Sequence, residues 1–176
     1  QKMVIYEPIY KNLKLVDVEV NNKETLREIQ QYNSGNILEL SKTREHYFSK
    51  ICKKIQEVDG MMIAIDYGYI DSPKNFTLQA VYRNKYSNVL ENIGNQDITS
   101  LVDFKSLIRI AKSFNLKLRT FSTQRDFLIK NGIYERANQI IKKCQENEKR
   151  NIISGLNRII DINDMGSIFK VLIVSK

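Results

Sequence analysis

Histidine is nearly missing from this chain and tryptophan is missing altogether: 176 residues carry one His, at position 46, and no Trp. One imidazole cannot build a multi-histidine zinc site. A Ser-His-Asp triad would rest on His46 alone, which falls on the polar side of an expected helix, where surface exposure is the simpler role. Cysteine is as scarce. Cys52 and Cys144 lie far apart and form no disulfide framework or metal-ligand spacing, so no metal is expected. Both fall at helical spacing among apolar neighbours and read as buried free thiols, which fits a reducing, cytoplasmic setting. The two prolines, Pro8 and Pro73, mark breaks between elements. The seven glycines, at 35, 60, 68, 94, 132, 155 and 166, are all isolated, so no phosphate-cradling Gly-rich loop exists.

Long apolar runs are absent too. None approaches the roughly 18 residues of a membrane span; the longest, 61–65 and 171–174, are strand-sized. Gln1-Lys2-Met3-Val4 has neither the charged-then-apolar layout nor the small-residue cleavage site of a signal peptide. It reads as a chain that starts inside a longer sequence.

What is present fits one globular domain or a large piece of one: 42% hydrophobic and 27% charged residues. The net charge of +8 permits an acidic partner, but the charge is dispersed. Its densest stretch sets Lys42, Arg44, Lys50, Lys53 and Lys54 against Glu45, the solvated face of a helix. No aromatic-basic motif accompanies it, so nucleic acid is not the expected partner.

Residues 4–10 and 15–20 read as a strand hairpin with Asn12 near the turn, since Val16, Val18 and Val20 alternate with Asp17 and Glu19. Residues 21–35 are polar and ambiguous. Ser41 can cap a helix to Val58, with Tyr47, Phe48, Ile51, Ile55 and Val58 as its apolar stripe. After Asp59-Gly60, the unbroken run 61–65 predicts a central strand with near-zero exposure. Residues 77–82 are extended. Asp103 leads into a helix with Phe104, Leu107, Ile108, Ala111 and Phe114 inward. Residues 116–122 form a strand, Thr123 caps a short helix that Gly132 closes, and two further helices carry Ile133 to Cys144 and Ile152 to Ile160. Residues 168–174 end the chain as a strand. The order is α/β with a mixed sheet edge.

In open α/β sheets, ligands bind beyond the carboxyl ends of strands. Asp66 stands at that end of the most apolar strand, followed by Tyr67, Gly68 and Tyr69. The carboxylate either faces a cavity, walled by the tyrosines, or bonds the next loop while the tyrosines pack. Asp97, Thr99 and Asp103 form a second polar cluster; for Asp103 the competing role is an N-cap. Asp66, Tyr67, Asp97 and Asp103 are expected to converge on one cleft.

These residues carry a family likeness. Gly60 to Tyr69, ending in Asp-Tyr-Gly-Tyr, resembles the late-strand motif of MidA-like methyltransferases. Thr77-Leu78-Gln79 resembles that family's Thr-Leu element. Gly94-x-x-Asp97-Ile98-Thr99 with Val102-Asp103-Phe104 is similar to its Gly-x-x-Asp-Leu-Thr-Ala-x-Val-Asp-Phe. Thr123-Gln124-x-x-Phe127-Leu128, then Gly132-Ile133 and Arg136, stand in register, and Met165-Gly166-x-x-Phe169-Lys170-Val171 is similar to the closing strand. The likeness runs from about Gly35 to Val174 in the family's order.

The resemblance implies the carboxy-terminal part of a Rossmann-like class I methyltransferase sheet with an added amino-terminal strand pair, and with residues 168–174 paired beside 116–122 as its last two strands. On that basis residues 1–176 form a single partial domain: 1–36 the strand pair and its polar connection, 37–176 the methyltransferase-like portion. It implies S-adenosylmethionine as methyl donor of the intact enzyme and a protein substrate methylated on arginine. In mitochondrial members that substrate is a respiratory complex I subunit. Asp66, Tyr67, Gly68, Tyr69, Asp97, Thr99, Asp103 and Gln124 are the candidate cleft residues; no catalytic residue is assigned. The chain departs from the family at three points. No Gly-rich strand-turn-helix precedes Asp66, the acidic Asn-Glu-x-x-Asp-Ala-Leu-Pro type motif is absent, and Asn84 stands where the family often has His. Tight donor binding by this chain is therefore not expected, and a missing amino-terminal half is an expected partner. The alternative function is a non-enzymatic basic binding module derived from a split or decayed methyltransferase.

Overall fold

The computed structural model describes residues 2–9, 12–31 and 37–176. In chain order the elements are β1 (Lys2–Ile9), β2 (Asn12–Glu19), α1 (Lys23–Gln31), α2 (Lys42–Val58), β3 (Met61–Tyr69), β4 (Gln79–Tyr82), β5 (Lys85–Ser87), β6 (Asp97–Thr99), β7 (Val102–Asp103), α3 (Phe104–Ser113), β8 (Lys117–Thr123), α4 (Gln124–Lys130), α5 (Ile133–Ile141), α6 (Glu146–Ile160), α7 (Met165–Ile168) and β9 (Phe169–Ser175). They divide into two compact units, residues 1–39 with 72–100, and residues 40–71 with 101–176.

The larger unit is a four-stranded sheet in the order β7-β3-β9-β8. β9 runs antiparallel to both β3 and β8, so β3 and β8 are parallel and α3 is the crossover between them. The expected pairing of the last strand with β8 is present. A bulge at Leu118/Thr120 sets Arg119 apart, and its Nε donates to Ser175 Oγ at 2.7 Å. α2 and α3 cover one sheet face. Phe48, Cys52 and Ile55 from α2 meet Phe104, Leu107 and Ala111 from α3, over Leu172 and Val174 of β9. These residues recur at three- and four-residue steps, which is why each helix buries one stripe.

The strand at residues 61–65 exists, but its expected burial does not. Met61, Ile63 and Ile65 are 64%, 55% and 49% exposed, while Met62 and Ala64 pack against the core. The reason is topological. Along residues 61–67 the ladder runs to β9 alone among the described residues, and β7 reaches only Gly68 and Tyr69. A strand covered on one face and paired on one edge behaves as a half-buried strand, however apolar its sequence.

The caps mostly follow the sequence. Asp103 and Thr123 accept the N–H groups of Ser106 and Asp126, each at 3.1 Å. Ser41 occupies the N-cap of α2 without a side-chain cap bond. Cys52 is fully buried, whereas Cys144 lies past the end of α5 and is only half-buried, contrary to the expectation of two buried helical thiols.

In the smaller unit, β1 and β2 form the expected antiparallel hairpin, pairing from Lys2↔Glu19 to Ile9↔Asn12. Tyr10, at the end of the expected first strand, and Gly35 lie outside the described residues. The ambiguous polar stretch contains α1, whose first turn is bonded by Asn22 Oδ1 to the Thr25 N–H at 3.1 Å. A small sheet, β5-β4-β6, follows. Its two-residue turn sets Arg83 and Asn84 at φ 49 and 61, the left-handed pair that a tight hairpin needs. Glu39 accepts from the Thr77 N–H at 2.8 Å and from its hydroxyl, which ties residue 77 to the segment before α2.

Candidate functional site

The carboxyl end of β3 is built by strand alternation. Asp66 points to the same face as Met62 and Ala64 but lies beyond their cover, exposed. Its Oδ1 accepts from the Tyr67 N–H at 2.8 Å. Across the ladder Asp66 stands opposite Lys170, and Lys170 stands opposite Thr123. A carboxylate, an ammonium group and a hydroxyl thus share one cross-strand row at the sheet end. Lys170 Nζ donates to the Ser167 carbonyl, and burial pushes its pKa down from the ordinary lysine value. Lys170 was not singled out from the sequence. The alternation Phe169-Lys170-Val171, with a cation between two apolar residues, was the available signal.

On the opposite face, Tyr67 stacks on Phe169 with ring centroids 4.0 Å apart. Gly68, on the same face as Met62, Ala64 and Asp66, provides space. A Cβ at that position would lie 2.4 Å from the Phe104 ring and 2.5 Å from the Val102 carbonyl oxygen, so glycine lets β7 and the start of α3 close against β3.

Asp103 pairs with Tyr69 in the short parallel ladder, which puts it on the face opposite Asp66. It is 4% exposed and its carboxylate caps α3. The two carboxylates therefore do not converge as expected: alternation separates them, and one is committed to a helix end. Gln124 Nε2 donates to the Ile159 carbonyl at 2.9 Å, and its neighbour Arg125 donates from Nη1 to the Ile160 carbonyl at 2.7 Å. Together they satisfy carbonyls at the end of α6. Asp97 and Thr99 belong to the smaller unit. Asp97 is exposed opposite Val81, and Thr99 Oγ1 accepts from Gln79 Nε2 at 3.1 Å.

Two cavities lie elsewhere in the larger unit. One, of about 520 Å³, is lined by Arg136, Gln139, Lys142, Lys143, Cys144 and Glu148. The other, of about 490 Å³, lies between β8 and α4 against Arg119, Phe121, Asp126 and Ile173. Neither includes Asp66 to Tyr69. No group of three or more metal-ligating side chains occurs among the described residues.

A donor such as S-adenosylmethionine needs backbone N–H groups at a Gly-rich turn and an acid for its ribose hydroxyls. The residues present do not fit it. The glycines are isolated, and Gly68 and Gly166 are filled against Phe104 and against the Asp161 and Ile160 carbonyls. What the larger unit does offer is a sheet end with an exposed acid, a partly desolvated amine and stacked aromatic rings.

The family model described as "Putative S-adenosyl-L-methionine-dependent methyltransferase" matches residues 7–122. Among curated relatives, the mitochondrial protein arginine methyltransferase NDUFAF7 of Danio rerio is 26% identical over 89% of this chain, which spans 40% of its length. The Mus musculus protein of that name is 30% identical over 68% of this chain and 27% of its own. Two solved structures from Burkholderia thailandensis share the fold. One has a TM-score of 0.82 at 20% identity, covering 94% of this chain and 46% of that one. The other, bound to S-adenosyl-homocysteine, has a TM-score of 0.76 at 19% identity and covers 94% and 44%. The chain thus spans less than half the length of these relatives. By the family match over residues 7–122, and by motifs that sit on β3, β4, β6, β7 and α3 in the family's order, it belongs to the MidA-like S-adenosylmethionine-dependent methyltransferases.

Proposed function

We propose that this chain is the carboxy-terminal portion of a protein arginine methyltransferase, with the donor site carried by the remainder of the fold. The supporting observation is the pairing of a family match with a β3 whose residues 61–67, among the described residues, are paired on the β9 side alone. In this reading the chain contributes the late strands and one wall of the substrate cleft, with Asp66, Tyr67 and Lys170 nearest the acceptor. An exposed carboxylate suits a guanidinium group, which carries its charge at every physiological pH. The family resemblance extends the substrate to a respiratory complex I subunit. Free cysteines fit a reducing compartment, cytoplasmic in this reading. Among the described residues no helix is long and apolar enough to cross a membrane.

The test is methyl transfer from radiolabelled S-adenosylmethionine to a mixture of arginine-containing proteins. With the remainder of the fold joined to the chain, label is expected in methylated arginine, and Asp66→Asn is expected to weaken transfer. Label on lysine, or on a small molecule alone, would overturn the arginine assignment. One observation favours the alternative of a basic binding module: Arg136, Lys142 and Lys143 line a single cavity, which suits an acidic partner. In that case an acidic peptide would bind the 176-residue chain, and Lys142→Glu with Lys143→Glu would abolish binding.

A further inference from the structure

Charge that is dispersed along the sequence is gathered by the fold onto one layer. Residues 42–58 carry five cations and two carboxylates, and residues 104–119 carry five cations and no carboxylate. Together that is ten against two, a net +8, while the whole chain holds 28 against 20, so the remaining residues balance at 18 against 18. The two segments meet because α2 and α3 lie side by side. Glu45 accepts from Ser106 Oγ near the start of both helices, and Gln56 Nε2 donates to the Phe114 carbonyl near the end of both. Each helix buries one stripe, Phe48, Cys52 and Ile55 on α2 and Phe104, Leu107 and Ala111 on α3. At about 100° per residue, the side of α2 away from that stripe presents Lys42, Lys50, Lys53 and Lys54, all exposed. The same side of α3 presents Lys105, Arg109 and Lys112, also exposed. Of the other cations, Arg44 is half-buried on the flank of Ile51, and Lys117 and Arg119 lie on β8. Of the two carboxylates, Glu45 is turned to Ser106, and Glu57 pairs with Lys54 at 3.4 Å. Lys42 and Arg109 hold interactions within the chain as well. The span from Lys42 to Lys54 is about 18 Å of helix and that from Lys105 to Lys112 about 10 Å, on axes about 8–10 Å apart. Neighbouring charges thus stand within roughly a Debye length of one another and act on a partner as one field.

We infer that the outer side of α2 and α3 is a docking surface for an anionic lipid bilayer, on which the chain rests peripherally. The inference does not depend on the methyltransferase reading, since it uses the exterior of the helix layer and not the carboxyl end of β3. The make-up of the surface sets its occupant. Six of its seven cations are lysine, a point charge that needs no oriented partner, whereas recognition of a single phosphate or carboxylate favours the planar fork of arginine. A folded acidic protein is the poorer occupant. Protein interfaces have an apolar or aromatic centre and are depleted in lysine. Here no large apolar side chain of α3 is exposed, and those of α2, Tyr47, Ile51 and Val58, are confined to one flank. A nucleic acid is poorer too. Single strands bind on rows of open aromatic faces, but Tyr47 has the His46 ring at its edge, 5.8 Å away, and Lys50 Nζ over its own ring at 5.4 Å. A duplex is read by an element that projects into a groove, and these helices lie flat on the sheet. The charge of an anionic leaflet is diffuse and asks for no pocket, and each lysine held at such a surface strengthens binding about fivefold.

Co-sedimentation of the 176-residue chain with lipid vesicles tests this. Vesicles of equimolar phosphatidylcholine and phosphatidylserine should carry the chain down at physiological ionic strength, and raising the salt should release it. Vesicles of phosphatidylcholine alone should not carry it. Lys50→Glu, Lys53→Glu, Lys105→Glu and Lys112→Glu together should weaken partitioning by about 100-fold or more. All four positions are exposed, so the circular dichroism spectrum should be kept. Lys23→Glu, Lys74→Glu, Lys85→Glu and Lys143→Glu change the net charge equally at exposed positions off this surface, and should weaken partitioning by less than about tenfold. Equal losses from the two sets would overturn the inference, because partitioning would then follow net charge and not this surface. Absence of sedimentation that depends on phosphatidylserine would overturn it as well. So would retention of single-stranded RNA at an ionic strength that releases the vesicles, which would assign the surface to a nucleic acid.

Discussion

The two sides of β3 are made of the same kinds of residue and behave differently. On the face under α2 and α3, Met62 and Ala64 pack against the core that holds Leu172 and Val174, both 0% exposed. On the opposite face, Met61, Ile63 and Ile65 are exposed. Apolar sequence sets what a strand can bury, and neighbours decide what it does bury. Leaving three large side chains of an unbroken apolar strand exposed forgoes roughly 1.5–3 kcal/mol of burial for each.

The largest effect expected from this contrast is at its buried side. Leu172→Ala should cost about 2–5 kcal/mol in urea unfolding, and Ile63→Ala less than about 1, since only the first leaves a cavity. Similar losses would break the comparison, for they would mean that both sides are equally packed.

Next comes Gly68→Ala, which tests the junction between the two sides. The added methyl would meet the Phe104 ring and the Val102 carbonyl, so a loss of about 1–3 kcal/mol is expected, with β7 displaced from β3. An unchanged midpoint would show that β7 is not held by this close approach.

Much of this architecture was legible in the sequence. The bounds of α2 and the capping roles of Asp103 and Thr123 follow from helical stripes and cap residues, and the pairing of β9 with β8 follows from the fold that the family resemblance implies. Three things were not legible. The burial of residues 61–65 depends on strands that the sequence of those residues cannot name. The separation of Asp66 from Asp103 depends on ladder register, which sets the facing of every side chain and is fixed by pairing rather than spacing. Lys170 looked like one member of a motif, and only the β3-β9 register shows it opposite Asp66. The helix α1 was hidden because its stretch is polar and shows no clear apolar stripe.

A smaller effect is expected at the caps. Asp103→Ala should cost about 0.5–2 kcal/mol by leaving the Ser106 N–H without its side-chain acceptor, with Thr123→Ala at the lower end because its site is more exposed. Asp103→Asn should recover most of the loss. Failure to recover would point to a role for the charge beyond capping.

The smallest effect concerns the cysteines. Burial pushes the Cys52 thiol up to about 11, above its ordinary value of roughly 8.5. Its folded form therefore holds its proton where the unfolded chain has lost it. The contribution to stability is full below about pH 8.5 and is lost as the pH rises through 11. Cys52→Ala should flatten that alkaline decline in thermal melts. With a thiol reagent at neutral pH, Cys144 should react first and Cys52 only on unfolding. Equal rates would contradict the burial assigned to α2.

The most direct test of the half-fold reading is a calorimetric titration of the purified 176-residue chain with S-adenosylmethionine, repeated with the remainder of the fold supplied. The donor contacts left to this chain lack the Gly-rich turn and the ribose acid. They must offset the roughly 4 kcal/mol or more lost on immobilising a ligand. No heat is expected from the chain alone, and saturable binding is expected once the complementary half is present. A dissociation constant in the low micromolar range (about −7 to −8 kcal/mol) for the chain by itself would contradict it, because the donor site would then lie within residues 1–176.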